Sequence, residues 1–558
     1  MKRKSKVFMA TLTLTAMLFA ACGPKKEDVK PTEAPAVTET PEVTPEPTVT
    51  PEPTPSPEPT ATPEPTPKPK TLQEQFDELI LTKTLKNIGY DAPLMTQRFG
   101  ADPCALVYDG RVYIYMTADT VEYSFKKPKE NSYSMVNKIN VISSDDLVNW
   151  TDHGSVYAAG KSGAAKWSKN SWAPAAACKE IDGQMKFFLY FADNGSGIGV
   201  LTSDSPTGPF VDPLGTQLIS RSTPNCGSVS WLFDPAVLVD DDGSAYIYFG
   251  GGPGESNENP GTGRCAKLGD DMISLAGDPV AMEIPYLFED SGINKVGDTY
   301  IYSYCTNWNV STEATQKYGF TNANIAYMTA DHPLGPFTYQ GVVLKHPGTY
   351  FAGDHNNNHH AIFEFNGEWY ITYHTRVLEQ GMGLKGLNYR SPHITKITVN
   401  EDGLFDTVQR TDRASLKQIK YLNPYEKVEA ETIATMGGVN TTQADEISKQ
   451  YGSGNMALSD IQTGDWVALY GVDFGETGTT QFTAAVKAAD GQSGTIQIRI
   501  DGADGVDGEV IGYMKLNSGE NEAYKEVTTS LLRRITGVHD LFFVFMGEGY
   551  TMDYWQFK

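Results

Sequence analysis

Between residues 100 and 400 apolar and polar positions alternate with a period of two, in short runs punctuated by glycine turns, and helical periodicity is nearly absent. The runs are variants of one phrase: YDGRVYIYMT (108–117), IDGQMKFFLYFA (181–192), DDDGSAYIYFGG, VGDTYIYSYC (296–305) and FNGEWYITYHT (365–375). Each places a glycine turn before a strand of aromatic and β-branched residues, which predicts a β-hairpin. Counted from Gly110, Gly183, Gly243, Gly297 and Gly367, the units recur at intervals of 73, 60, 54 and 70 residues. A second phrase keeps the same register: ISSDDLVNWTDHG (142–154), LTSDSPTGPFVDP (201–213) and MTADHPLGPFTYQG (328–341) read as an outer strand and its closing turn. Five such units predict an all-β chain whose main part is a five-bladed β-propeller. A large β-sandwich is the alternative, but it would not repeat its turn chemistry so regularly.

The pattern changes at both ends. Residues 71–86 read as a helix or capping segment. Past a boundary near 420–427, GDWVALYGVDFG (464–475), TTQFTAAVKAA (479–489), GTIQIRIDG (494–502) and GVHDLFFVFMG (537–547) predict a compact β-sandwich of jelly-roll type. The domains expected are therefore a propeller over 71–425 and a sandwich over 426–558.

Residues 1–22 look like an address. Lys2, Arg3, Lys4 and Lys6 precede an apolar stretch too short to be a comfortable membrane span, and Ala20-Ala21 precede Cys22. This resembles a bacterial lipoprotein signal with Cys22 as the lipidated residue; plain secretion is the alternative. Residues 23–70 are almost entirely Pro, Thr, Glu, Ala and Val, too polar and proline-rich to bury a core, and predict an extended tether reaching on the order of 100 Å. The expected location is the outer surface of a bacterial membrane, reached only through the lipid.

Composition narrows the partners. A formal charge of −24 leaves no basic stripe to neutralise phosphates, which argues against nucleic acid. Many Trp, Tyr and Phe in an acidic chain suit a neutral, hydroxyl-rich ligand such as a sugar. Setting aside Cys22, the cysteines number five, with no CxxC or zinc spacing, and read as mostly free thiols. A monomer is expected.

In a propeller the first strand of each blade lines the axis, so polar residues just upstream of the repeated strands are candidates for a shared pocket. Three carboxylates stand there, eight or nine residues before their glycines: Asp102 in RFGADPC, Asp234 in WLFDPAV and Glu289 in YLFEDSG. Singly, each could be a turn residue. Three on one repeat scaffold, flanked by Phe99, Phe233 and Phe288, suggest carboxyl groups whose pKa values are pushed apart, as an acid and base pair in glycoside hydrolysis requires.

The order ADP, WAP, FDP with DDDG, FEDSG, then NNHHAIFEFNGEWYITYH resembles glycoside hydrolase family 43, the β-xylosidases, α-L-arabinofuranosidases and arabinanases, over about residues 90–420. The resemblance implies an inverting mechanism with Asp102 as general base, Asp234 orienting substrate and tuning the acid, and Glu289 as general acid. It also implies substrate contacts from Trp172, Phe233, His359 and Arg390, with Arg376 competing for the last role. His359 would lie on the axis near a calcium ion or its water. No cofactor is required for the chemistry. The expected activity is release of arabinofuranosyl or xylosyl units from xylan or arabinoxylan.

The segment 426–558 resembles a family 6 carbohydrate-binding module. That resemblance implies a structural calcium held by Glu429, Glu431 and Asp553. It departs from the pattern at Asn521, where a stacking tryptophan is usual, and at Thr551, where asparagine is usual, so sugar binding through that cleft is in question. Two rivals remain. Invertase-like β-fructosidases share five blades and three acids, but their Asn-Asp-Pro-Asn-Gly and Glu-Cys motifs are missing here. From another class, a binding protein that has lost activity would keep the same acids.

Overall fold

In the computed structural model, the described residues are 68–86, 92–120, 122–252, 256–384, 386–411, 416–504, 508–517 and 523–558. Cys22 and the tether up to residue 67 lie outside them. Strand accounts for 46% of the chain and helix for 6%, which makes the protein all-β as the alternating pattern predicts.

The repeated phrases form five successive antiparallel sheets. The first contains β1 (Gly100–Tyr108), β2 (Arg111–Ala118), β3 (Ile139–Ser144) and β4 (Trp150–Val156). The second contains β5 (Trp172–Ile181), β6 (Gln184–Ala192), β7 (Gly197–Ser203) and β8 (Ile219–Ser220). The third has β9 (Ala236–Val239), β10 (Ala245–Phe249), β11 (Gly263–Lys267) and β12 (Val280–Met282). The fourth has β13 (Leu287–Val296), β14 (Thr299–Thr306), β15 (Ile325–Ala330) and β16 (Thr338–Leu344). The fifth has β17 (His360–Phe365), β18 (Glu368–Thr375) and β19 (Ser391–Ile397). All five marker glycines lie at positive φ, and Asp109, Asp182 and Asn366 before three of them do too. Two successive left-handed residues are what a tight type I′ hairpin demands, so the turn chemistry read from the sequence is the turn geometry found.

Among the described residues no sheet closes on itself. The first strands touch in a ring instead: β1 packs on β5, β5 on β9, β9 on β13, β13 on β17 and β17 on β1. Between neighbouring sheets run layers of apolar side chains, such as Tyr115 with Leu189 and Phe191, or Tyr248 with Tyr302 and Met328. The recurrent tyrosine of the second strand has a particular task. Tyr115, Tyr190 and Tyr248 are buried, and their hydroxyls donate to the Pro206, Met272 and Pro333 carbonyls of the next sheet at 2.6, 2.6 and 2.5 Å. Each ring thus fills the gap between sheets while its hydroxyl satisfies a carbonyl that would otherwise cost about 1–3 kcal/mol to bury.

One expectation changes here. In the sequence, Asp240, Asp241 and Asp242 before Gly243 read together as an exposed acidic turn. Asp240 is instead drawn inward, accepting from Lys295 Nζ at 2.6 Å and Tyr300 Oη at 2.5 Å, and so ties the third sheet to the fourth.

Residues from 426 onward form two antiparallel sheets that share one apolar core, including Leu469, Phe482, Phe543, Trp555 and Phe557. This second body is joined to the first by backbone. Thr432–Ile433 pairs with Thr151 and Trp150, adding a fifth strand to the first sheet. Buried Asn149 exchanges two hydrogen bonds with the Tyr470 backbone, each 2.9 Å. The amino-terminal segment is strapped to the same body. Its helix is only Leu72–Asp77, shorter than the expected segment, and starts with a Thr71–Glu74 capping box. Beyond it Thr82 N–H donates to the Gly464 carbonyl and buried Lys86 to that of Ile433. The two bodies are therefore held in one orientation.

Candidate active site

Four of the five sheets enter their first strand through the same strained residue. Asp102, Ala173, Asp234 and Asp290 adopt φ of 47°, 39°, 49° and 71°. A left-handed non-glycine residue costs on the order of 1 kcal/mol, least for aspartate, and such strain gathers at functional sites. Three of the four are aspartates, and all three face one residue supplied by the fifth sheet, His359. The positional partner of Asp102 and Asp234 is therefore Asp290, whereas Glu289 lies one residue earlier, where the pairing of β13 with β14 shifts. Sequence reasoning placed Glu289 at the centre and passed over Asp290; both are there.

His359 is buried with a carboxylate pair at each ring nitrogen. Nδ1 lies 3.6 Å from Asp102 Oδ1 and 3.6 Å from Asp290 Oδ1. Nε2 lies 3.5 Å from Asp234 Oδ2 and 3.6 Å from Glu289 Oε1. Burial alone would drive the imidazole neutral, but the four carboxylates outweigh it and hold His359 well above its usual range, as a cation. Asp290 is fixed on its other side: its Oδ2 accepts from His360 N–H at 3.1 Å and lies 2.5 Å from His360 Nδ1, whose ring reaches Ser303 Oγ at 2.7 Å through Nε2. The Asp290 N–H in turn donates to Asp234 Oδ2 at 3.0 Å.

The carboxyl groups of Asp102 and Asp234 are pushed in opposite directions. For Asp102, burial raises the pKa, but Arg390, then His359 and His374, more than offset it and bring it to about 2. For Asp234, burial combined with the Glu289 and Asp102 charges raises it to about 8, against the pull of His359. The separation foreseen from the sequence is present, but its raised member is Asp234. Ligand atoms of Asp234, Glu289 and His359 all lie within 4.8 Å of one another, so the raised Asp234 carboxyl holds its proton directly beside Glu289.

Arg390 arranges the other side. It donates to Asp102 Oδ1 at 2.7 Å and to Asn357 Oδ1 at 2.9 Å, and it grips buried Asp119 with two bonds of 2.8 and 2.9 Å. Asn357 passes the link on, donating to Glu289 Oε1 at 2.9 Å. The Tyr133 ring covers the guanidinium at 4.7 Å, and Trp172 donates its indole N–H to the Tyr133 carbonyl at 2.9 Å. Trp172 thus stands beside the site, at the edge of Tyr133. Phe233 is buried with its ring against Trp231 at 5.2 Å, a packing position next to Asp234. Of the two arginines weighed, Arg390 is the one that touches the acids. Arg376 is buried too, but Nε and one terminal nitrogen have no protein partner, and neither does Nε2 of His374, whose Nδ1 accepts from Asp102 N–H at 2.9 Å. Of the two residues, His374 is the one that touches Asp102.

Asp119, Asp290, Asn357 and His374 were missed from sequence. Asp290 was legible as the second acid of FEDSG and His374 as the polar end of the repeated strand YITYH. Asp119 and Asn357 carry no pattern of their own. Asp234, Glu289 and His359 could also hold a divalent cation if His359 were neutral, the ion then replacing the imidazolium charge. In the second body Glu429, Glu431 and Asp553 press on one another electrostatically. Burial and then Asp553 raise Glu429 to about 7, and buried Glu431 has an unpartnered Oε2, which fits a calcium-type oxygen site. Thr551 Oγ1 pairs with Tyr524 Oη at 3.2 Å, and Asn521 lies outside the described residues.

Comparison with known proteins agrees with this geometry. The profile described as Glycosyl hydrolases family 43 matches residues 90–405, and Carbohydrate binding module (family 6) matches residues 429–558. An arabinoxylan arabinofuranohydrolase of Paenibacillus polymyxa is 47% identical over 486 residues, spanning 84% of this chain and 74% of its own. One from Bacillus subtilis (strain 168) is 46% identical, spanning 85% of this chain and 94% of its own. The crystal structure of a glycoside hydrolase family 43 arabinoxylan arabinofuranohydrolase from Bacillus subtilis in complex with cellotetraose superposes with a TM-score of 0.78 at 45% identity, covering 85% of this chain and 98% of that one.

Because Asp234 titrates higher folded than unfolded, its contribution to stability is fullest below about pH 4 and is lost as pH rises toward 8. Asp234→Asn cannot ionise and should escape that loss. Thermal melts at pH 4, 6 and 8 should show the variant gaining on the wild type as pH rises; a difference independent of pH would contradict the charge assignment.

Proposed function

The chain belongs to glycosyl hydrolases family 43, and from that premise we propose that it releases arabinofuranosyl units from arabinoxylan by single-step, inverting hydrolysis. It is a glycoside hydrolase, and it carries a carbohydrate-binding-module region at its carboxyl end. We read the five sheets as the blades of a five-bladed propeller, a reading supported by the ring of first-strand contacts. The choice of arabinose over xylose rests on the relatives that span both bodies, which are named for arabinofuranose release. By contrast, the Xylosidase/arabinosidase of Bacteroides ovatus, 32% identical, spans 56% of this chain.

The observation that carries the mechanism is the pair of carboxylates on opposite nitrogens of His359. Asp102, held ionised, takes a proton from water as the water oxygen bonds to the anomeric carbon. Glu289, drawing on the proton kept with Asp234, protonates the departing xylose oxygen as the glycosidic bond breaks. Arabinose and a free xylose hydroxyl result, and no cofactor enters. Both oxygens lie 3.6 Å from one imidazole, so they stand no farther apart than the roughly 9.5 Å limit for an inverting pair. In this reading Asp234 orients the sugar and sustains the acid, Arg390 fixes Asp102, and Trp172 with Phe233 shapes the wall. The remaining readings, an inactive binding protein, an arabinanase or a β-fructosidase, have no specific support in the site.

Glu289→Ala is expected to lower kcat on arabinoxylan by roughly 10²–10⁴-fold. The loss should be much smaller on an aryl arabinofuranoside whose leaving group needs no proton, whereas Asp102→Ala should fail on both. Equal losses for Glu289→Ala on both substrates would remove its role as acid. We also infer that the enzyme is a monomer anchored through Cys22 at the cell surface. On fractionation of the cells, Cys22→Ala should move the enzyme from membrane to medium; unchanged membrane association would contradict the anchor.

A further inference from the structure

A cleft of about 750 Å³ lies between the two bodies, distinct from the axial site. Its wall on one side is the first sheet, and the residues used reveal which end. Phe99 precedes β1, Thr120 and Tyr123 follow β2, Lys138 precedes β3, and Ser155 and Tyr157 close β4. In an antiparallel sheet these are all one end, the same end at which β1 presents Asp102. Thr120 follows directly on Asp119, which grips Arg390. Phe99 stacks on Tyr389 at 4.8 Å, beside Arg390, and meets Tyr123 edge-on at 5.1 Å. The cleft therefore starts one aromatic wall away from the active site and runs outward along the first sheet to the second body, where Asn440, Thr441 and Gln443 form the opposite side.

We propose that this cleft binds the xylan main chain, extending outward from the pocket that takes the arabinose side chain. The proposal rests on the arabinoxylan reading above. A side chain in a pocket on the axis requires its backbone to lie across the same end of the sheets. The cleft is large enough for an oligosaccharide, since ligand sites typically occupy roughly 300–1,000 Å³. Its lining suits a polyol: amides and hydroxyls for hydrogen bonds, Tyr123 as an apolar face, and Lys138 Nζ, 4.6 Å over the Tyr157 ring, as a further donor. Arg98 adds a donor. It is paired with Asp152 and donates to Thr441 Oγ1 at 2.9 Å, yet its Nε is buried without a partner. The cleft is also preformed, because the Arg98–Asp152–Thr441 network and the added strand at Thr432–Ile433 fix its walls. The second body would then bind xylan through the face it turns to the catalytic body, whatever its own loop cleft does.

Two substitutions test the two walls separately. Ser124→Trp places bulk on an exposed position of the first body, and Gln443→Ala removes an amide from the second. For each, kcat/KM on arabinoxylan divided by that on aryl arabinofuranoside is expected to fall about fivefold or more, the worth of roughly one hydrogen-bonded contact. Calorimetry with linear xylohexaose, using Glu289→Gln enzyme, should show the same weakening when either change is added. An unchanged ratio together with unchanged xylohexaose affinity, in variants that melt like the parent, would overturn the proposal. If the wild type cleaves neither substrate but xylohexaose affinity still falls in both variants, the cleft stands and the arabinofuranosidase reading fails.

Discussion

A single buried imidazolium is what allows this active site to exist. Asp102, Asp234, Glu289 and Asp290 all approach His359 within 3.6 Å, and four carboxylates so placed cannot all be ionised in a dry centre without a cation among them. His359 supplies one charge, Arg390 a second beside Asp102, and the proton held by the raised Asp234 carboxyl removes part of the remaining excess. The catalytic division of labour follows from that balance. Next to Arg390 a carboxyl stays ionised and can act as a base; far from Arg390 and facing another acid, a carboxyl keeps a proton and can give one away.

The fold serves this arrangement by bringing four strand entries to one point. A hairpin unit is short and its first strand begins at the axis, so the residues that open it reach the centre, two of them, Glu289 and Asp290, from the fourth sheet. The left-handed conformation of Asp102, Asp234 and Asp290 is accepted there because the sheets packed on either side leave the chain no other path. The fifth sheet contributes histidine instead of aspartate, and a site that would otherwise be a ring of repelling acids becomes an ion cluster. The tyrosines that bridge sheet to sheet keep that geometry rigid from outside.

Much of this was legible in the sequence because repetition exposes it. Glycine turns spaced by 54 to 73 residues announced the five sheets, and the deviations within the repeat, Asp102, Asp234, Glu289 and His359, announced the site. What repetition cannot show is pairing across sheets. Asp290 was hidden behind Glu289 because a register shift moves the two by one residue, and only the backbone conformation reveals which of them matches Asp102. Asp119 acts through Arg390, 271 residues away, and Asn357 links Arg390, 33 residues away, to Glu289. Asp240 looked like an exposed turn residue because nothing in its own neighbourhood names Lys295 and Tyr300 as partners.

The second body sharpens the functional reading. Hydrogen-bonded to the first sheet through an added strand, and strapped to the segment that leads in from the amino terminus, it is fixed beside the end of the sheets that carries Asp102. The central claim remains that two carboxylates astride His359 act in one displacement. Proton NMR of the first arabinose released from an α-L-arabinofuranoside, recorded before mutarotation, tests it most directly. The account requires the β-anomer to form first; initial appearance of the α-anomer would contradict it.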